Sequence, residues 1–301
     1  MSEPDSSPVA LVFLARGTGG GINATAGFFD AYRTHPPGCA HDLIVVTKGW
    51  EGHSGLADLH RLTADHGGRV VELPDQGFDW GAYMRLAPTL KHEWVCFLNT
   101  HSRPRVQGWL ELLWKTANKN ELAIGAVGAT ASWETVLPSL RLPSPATPAS
   151  LFLHPFKLCW NVGRVVRNVA HFQPFPNPHL RSNAFLMRRD MFIEFCSGRP
   201  FPKTKDEAFR LESGRTGLTT FLEARGLQVF VQGANGAAYG KEAWMTSGTF
   251  RTPGQPNLLV DDNQTLAYDS ASVHLKYRLE RAAWGRAFTQ PAGKFRIGCN
   301  G

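Results

Sequence analysis

The segment Asn99-Thr100-His101-Ser102-Arg103 gathers an amide, an imidazole and a guanidinium directly behind the apolar run WVCFL at 94–98. Groups of that kind at the end of a buried strand polarise an oxygen or hold an anion. The guanidinium presents a planar fork to phosphate, the imidazole donates a proton or ligates a metal, and the amide offers a carbonyl. Lys48 stands in the same relation to the run DLIVVT at 42–47, where an ammonium suits a phosphate or a uracil-type carbonyl. Asp75 and Asp79 flank Gly77 in DQGFD, and their carboxylates would accept hydrogen bonds from a base or a ribose. Asp79 reads equally as an acidic residue in the first turn of a helix, favoured there by the helix dipole. The chemistry on offer is recognition of a phosphorylated, nucleotide-like ligand.

The elements that must hold these residues follow from periodicity. VALVFLA at 9–15 has the pattern of a fully buried strand, and DLIVVT, RVVEL at 69–73, WVCFL and LAIGAV at 122–127 repeat it. Helical patterns lie between them: about 23–32, 55–66, from the Asp75-Gln76-Gly77 turn to about Leu90, and 106–118. Such alternation predicts a mostly parallel sheet with right-handed crossovers and a ligand site at the carboxyl ends of its strands. Further on, 180–187 reads as a strand, 218–224 as a helix, 228–232 as a strand and 268–288 as one basic helix. The polar stretches 244–250 and 257–265 read as loops; Asp261, Asp262 and Asn263 either close over a ligand or form an Asx turn. Behind the first strand, Gly19-x-Gly21-x-x-Ala24 matches a dinucleotide fingerprint, but that motif wants an acidic residue closing the second strand, where this chain has Lys48.

The pattern GFDxGAY at 77–83, a strand closing in LN-x-x-S at 98–102, then Pro104 and the WL at 109–110 together resemble the nucleotide-sugar-binding half of GT-A glycosyltransferases, especially bacterial family 2-like enzymes. The resemblance implies an α/β fold: one GT-A-like (Rossmann-like) domain over 1–301, with a donor half to about 133, an insertion over about 134–178 and an acceptor half beyond. It implies transfer of a sugar from a nucleotide-sugar donor to a glycan or lipid-linked acceptor hydroxyl, with inversion, in assembly of a bacterial surface glycan. Donor contacts would come from Ala15, Arg16 and Gly17 at the first strand's end, with Lys48, Asp75, Gly77, Asp79, Asn99 and His101. Arg181 and Asn183, beside Ser182, and the late histidine His274 would meet the acceptor or a phosphate. The family places a general base at the start of a helix near 203–225. Glu212 is the candidate, with Asp206 and Glu207 as competitors.

One departure bears on the metal. The family's strand ends in Asp-x-Asp, which holds a divalent cation on the donor diphosphate; this chain has Asn99-Thr100-His101. A carbonyl and an imidazole bind Mg poorly and tolerate Mn better. Either His101 ligates a divalent metal (Mn or Mg), or cationic groups such as Lys48, Arg103, Arg181 or His274 take its place. A non-catalytic nucleotide-sugar-binding protein and a nucleotidyl- or dinucleotide-handling enzyme stand as alternatives.

A net charge of +7 over 301 residues suits an anionic ligand, nucleic acid or an acidic membrane surface; the resemblance selects the nucleotide-sugar and argues against nucleic acid as a partner. Five scattered cysteines without CxxC spacing argue against disulfides and a zinc site, and no apolar run is long enough to span a bilayer. A cytoplasmic protein is expected. Residues 151–172 interleave aromatics with basic residues and hold no acidic one. They read either as an inserted helix over an apolar groove or as an amphipathic helix at the inner face of the membrane.

Overall fold

The run VALVFLAR forms the central strand β1 (Val9–Arg16) because all but its last side chain are buried, which requires cover on both faces. The computed structural model describes residues 7–119, 123–137 and 169–290. Helix α1 (Gly21–Thr34) returns the chain to β2 (Asp42–Lys48), and α2 (Leu56–Asp65) returns it to β3 (Arg69–Glu72). β1 pairs in parallel with β2, and β2 with β3. Helix α3 (Phe78–Leu86) then carries the chain back across β1 to β4 (Trp94–Leu98), parallel to β1 on its other side. The sequence order therefore reverses between β1 and β4, and a crevice opens beyond their carboxyl ends.

A two-residue strand, β5 (Arg103–Pro104), and α4 (Trp109–Ala117) lead to β6 (Ile124–Gly128) and the short β7 (Ala131–Ser132). Described structure resumes before β8 (His179–Leu180), which pairs with β7, and β9 (Ala184–Arg188), which runs antiparallel between β4 and β6. Helices α5 (Arg189–Cys196), α6 (Lys205–Ser213) and α7 (Leu218–Glu223) follow, then β10 (Gln228–Gln232), parallel to β6, and the edge strand β11 (Ala238–Tyr239). The eight-stranded order is β11-β10-β6-β9-β4-β1-β2-β3. This is the mostly parallel α/β sheet flanked by helices that the alternating pattern predicts, of the GT-A-like kind that the resemblance implies. Apolar layers cover both faces. Trp80, Tyr83, Phe97, Phe185 and Phe192 pack on one, and Phe13, Phe28, Trp109 and Leu110 on the other.

Three expectations are corrected. The run 180–187 is not one strand: β8 ends at Leu180, residues 181–183 form a turn, and β9 begins at Ala184. The turn is stitched to the end of β4, where the Asn99 amide and the Ser102 hydroxyl both donate to the Asn183 carbonyl, at 3.0 and 2.7 Å. The basic helix 268–288 is two helices, α8 (Asn263–Asp269) and α9 (Val273–Trp284), because the Ser272 hydroxyl caps a fresh start and Gly285 stops it in the left-handed region. The stretch 257–265 is not all loop. It holds β12 (Val260–Asp261), paired with β5, and the cap of α8, where the Asp262 carboxylate accepts from the amides of Gln264 and Thr265. That is the Asx-type reading of Asp262. Most of the basic stretch, 151–168, lies outside the described residues, and among those described no helix is long and apolar enough to cross a membrane.

Candidate active site

A cleft of about 370 Å³ opens at the carboxyl ends of β1 and β4 and is lined by Arg16, Asp79, Asn99, His101, Arg181, Ser182, Asn183 and Glu212, among others. Residues from six separate stretches of sequence thus converge, Asn263 and Gln264 at the start of α8 being the last. Because β9 runs against β4, the turn preceding β9 meets the residues following β4, which explains why Arg181–Asn183 act from the front of a strand. A second hollow of about 460 Å³, lined by Arg16, Asp75, Gly77, Phe78 and Phe201, adjoins the first through Arg16 and Phe78.

Glu212 sits in the last turn of α6, not at the start of a helix as expected from the resemblance. Its carboxylate accepts from the Ser182 amide at 3.0 Å and the Ser182 hydroxyl at 3.1 Å. Two of its four lone-pair positions are thereby used, which orients the group and leaves two for an incoming hydroxyl. The competitors drop out. Glu207 closes the capping box of α6 with Thr204, and Asp206 does not line the cleft.

Asp79 lies at the cleft floor in the first turn of α3. Burial of its carboxyl pushes its pKa up, against the pull of Arg16, Lys48 and His101, while Glu212 adds to the upward push. Two carboxyls therefore share one cleft in different environments, one clamped by donors and the other desolvated.

Lys48 is corrected from ligand contact to internal brace. Its side chain is completely buried, and its ammonium donates to the carbonyls of Gln76 and Phe78 at 2.9 and 2.8 Å, with Asp75 at 3.5 Å. Burial lowers its pKa, and neighbouring Arg16 adds to that. What it braces is strained. Gly77 caps α3 in the left-handed region, and Phe78 follows at φ 55, which a residue with a Cβ rarely adopts. Lysine at the end of β2 thus holds the turn that aims Asp79 into the cleft.

Other expected contacts are also displaced. Ala15 is fully buried and gives its carbonyl to the Trp50 indole, and Gly17 packs so closely on Gly49 that a Cβ would stand 2.2 Å from its carbonyl oxygen. Neither lines the cleft. Asp75 and Gly77 line the second hollow, where Asp75 pairs with Arg16 at 3.2 Å. Arg103 packs its guanidinium over Gly27 of α1, away from the cleft. His274 is exposed in the first turn of α9 and is not brought to the site. Arg181 does line the cleft, but its guanidinium is committed to the buried carboxylate of Asp262 at 2.6 Å and stacks on Phe250 at 4.2 Å.

The residues present do not fit a resident divalent cation. Asn99 turns its side-chain carbonyl inward, accepting from the His101 amide at 3.1 Å and standing 3.0 Å from the Ser102 hydroxyl, whose one proton it shares with the Asn183 carbonyl. That leaves His101 as the only strand-end ligand, and no group of three His, Cys, Asp or Glu among the described residues is placed to hold a metal. Some cleft-lining residues carry a buried polar atom without a partner. The Arg16 Nε, Thr100 hydroxyl and Asn183 Nδ2 are buried and unpaired, all on residues lining this cleft. They are three of twelve such atoms among the described residues, most of which belong to residues that do not line the cleft.

The sequence reading missed Lys205 and Phe209, which line the cleft from α6. Their signal was present. Lys205, Ala208, Phe209 and Glu212 fall at i, i+3, i+4 and i+7, one face of a helix. The reading placed Glu212 ahead of a helix at 218 and so left that face unread.

No family model matches this chain, and no curated protein sequence matches it. Solved structures with a similar fold include a mannosyltransferase from Pyrobaculum calidifontis, in complex with GDP-Man and Mn2+. The TM-score is 0.41 at 14% identity, over 69% of this chain and 51% of that one. A glucosyl-3-phosphoglycerate synthase from Mycobacterium tuberculosis, in complex with UDP, gives 0.38 at 16%, over 68% and 64%. A 4-diphosphocytidyl-2C-methyl-D-erythritol synthase from Anaerococcus prevotii gives 0.41 at 12%, over 74% and 85%. The chain spans about half of the first of these and under two thirds of the second. Glycosyltransferases and nucleotidyltransferases both occur among them, so the reading of the site rests on its own residues.

Proposed function

We propose that this protein transfers a sugar from a nucleotide-sugar donor to an acceptor hydroxyl, with inversion at the anomeric carbon and without a resident metal. The observation that carries this reading is the placement of a clamped carboxylate, Glu212, in the same switch-point cleft as Arg16 and His101. In this reading Glu212 takes the proton of the acceptor hydroxyl as its oxygen bonds to the anomeric carbon. The bond from that carbon to the donor diphosphate breaks, and its electron pair leaves with the diphosphate. Arg16 and His101 meet the developing negative charge, the role a cation would otherwise fill. The neighbouring hollow beside Asp75 and Phe201 has room for the donor's base. The acceptor is a glycan or lipid-linked hydroxyl compound, and the site of action is the cytoplasm or its membrane face.

Asn99, locked into its own turn, also favours a second reading, a nucleotide-sugar-binding protein that does not turn over. A thermal-shift panel of UDP, GDP and dTDP sugars and NAD(P), with and without manganese, tests donor binding. A ligand at a hundred times its Kd stabilises by about 2.7 kcal/mol. Stabilisation by a nucleotide sugar with no effect of manganese is the expected result; stabilisation by NAD(P) alone overturns the reading. Slow donor hydrolysis separates enzyme from binder, since a pure binder releases no diphosphate.

A further inference from the structure

We infer that the acceptor is an anionic sugar or polyol bearing a phosphate or carboxylate, held by Lys205 at the outer end of the cleft while its reacting hydroxyl meets Glu212. The inference rests on the transferase reading above and deepens it by naming the class of acceptor. Lys205, Ala208, Phe209 and Glu212 form a single cleft-facing stripe on α6. Seven residues at a rise of 1.5 Å separate the ammonium's anchor from the carboxylate's by about 10 Å along the helix axis.

Lys205 is placed against the local rule. It occupies the first position after the Thr204 cap, where the helix dipole and free amides disfavour a cation, and the acidic residues the rule predicts, Asp206 and Glu207, come directly after it. Among the described residues it makes no ion pair; its one contact is the Phe209 ring, 5.4 Å from the ammonium. Exposed and unpaired at the cleft rim, its ammonium is free to meet an anionic group of a ligand. Phe209, one turn further in, offers a flat apolar face of the kind on which a sugar ring rests. Asn183 lines the same cleft, its side-chain carbonyl accepting from the Thr130 hydroxyl at 2.6 Å.

Charge fixes the polarity. The inner end of the cleft holds Asp79 and Glu212, which repel a second anion; moving that anion from about 4 to about 10 Å away cuts the repulsion some 2.5-fold, since it falls as the inverse of distance. The acceptor therefore enters hydroxyl first, with its charge left at the rim beside Lys205.

The test titrates the whole protein with glucose 6-phosphate, glucuronic acid and methyl glucoside by calorimetry, with and without whichever nucleoside diphosphate the thermal-shift panel selects. Wild type, Lys205→Ala, Lys205→Glu and, as a control on the opposite wall, Arg16→Ala are compared. Both anionic probes are expected to bind about tenfold more tightly than methyl glucoside, the scale of one charge-assisted hydrogen bond. Lys205→Ala removes that preference and Lys205→Glu reverses it, with the melting temperature not lowered in either and slightly raised in Lys205→Glu, where the acidic group suits the helix start. The stronger of the two anionic probes identifies phosphate or carboxylate as the group. Equal binding of charged and neutral probes overturns the inference, as does a preference that survives Lys205→Ala. Loss of diphosphate affinity in Lys205→Ala would assign the lysine to the donor and overturn it too. If no nucleotide binds at all, the transferase reading fails, while the probe titrations on the free protein still report on Lys205.

Discussion

Replacing Glu212 by glutamine separates chemistry from architecture in this cleft. The two Ser182 contacts, at 3.0 and 3.1 Å, are the only partners the carboxylate has among the described residues. A glutamine oxygen accepts from the Ser182 amide as before, and its NH2 donates to the Ser182 hydroxyl, whose oxygen then accepts instead of donating. Shape and hydrogen-bond count are kept, so the change in stability is within about 1 kcal/mol, or no more than about 2–4 °C in melting temperature. The proton-accepting lone pairs are lost. A positioned general base is worth about 10²–10⁴ in rate, or roughly 3–5 kcal/mol of barrier. Glu212→Gln is therefore expected to melt with wild type, bind donor with wild type and lose at least a hundredfold in transfer, measured as product by mass spectrometry. Glu212→Ala behaves differently: it removes the partner of the half-buried Ser182 amide and hydroxyl and costs about 1 kcal/mol of stability as well. A Glu212→Gln protein that transfers at the wild-type rate, with acceptor saturating, would refute the base assignment.

Other substitutions test the supports of the site. Asp79→Asn is expected to be more stable than wild type at pH 7, because burial raises the carboxyl's pKa and the folded state favours its protonated form. That contribution is fully present below the ordinary value of 3.8 and is lost as pH rises through the folded pKa, so denaturant titrations should show the variant's advantage vanishing in acid. Lys48→Met should lower stability by about 2–4 kcal/mol, since the Gln76 and Phe78 carbonyls lose their donor, and should loosen donor binding with it. Weakened donor binding at unchanged stability would instead make Lys48 a ligand contact. Asp262→Ala should cost about 3–5 kcal/mol by leaving the Arg181 guanidinium buried and unpaired, as read by urea unfolding. EDTA should leave transfer and donor binding unaltered, and manganese dependence in either assay would show a cation site that the strand-end residues do not provide.

The sheet was legible because its strands are buried on both faces and so read as unbroken apolar runs; β4 and β10 fall where the periodicity puts them, residue for residue. The site was legible only where a functional group ends such a strand or stands in the turn leading to the next element, as with Arg16, Asp79 and His101. Lys48 shows why that rule is incomplete. From the sequence, a lysine closing a parallel strand in an α/β sheet is a phosphate ligand, but whether its ammonium faces the crevice or the protein depends on what the chain does 28–30 residues later. Here the turn at 76–78 arrives with two carbonyls that need a donor, and the lysine is consumed. Asn99 follows the same logic. An amide at this position could offer its carbonyl outward, but the two residues behind it supply an amide and a hydroxyl within reach, so the oxygen closes its own loop. Both losses point the same way. The groups a donor diphosphate would first be expected to use are spent on holding the cleft's shape. Arg16, which lines the cleft, is itself paired with Asp75 at 3.2 Å. A cleft that spends its strand-end groups on rigidity would, in the proposed reading, have to stabilise the leaving diphosphate with fixed cationic and hydrogen-bonding groups, which is what the EDTA and manganese experiments test.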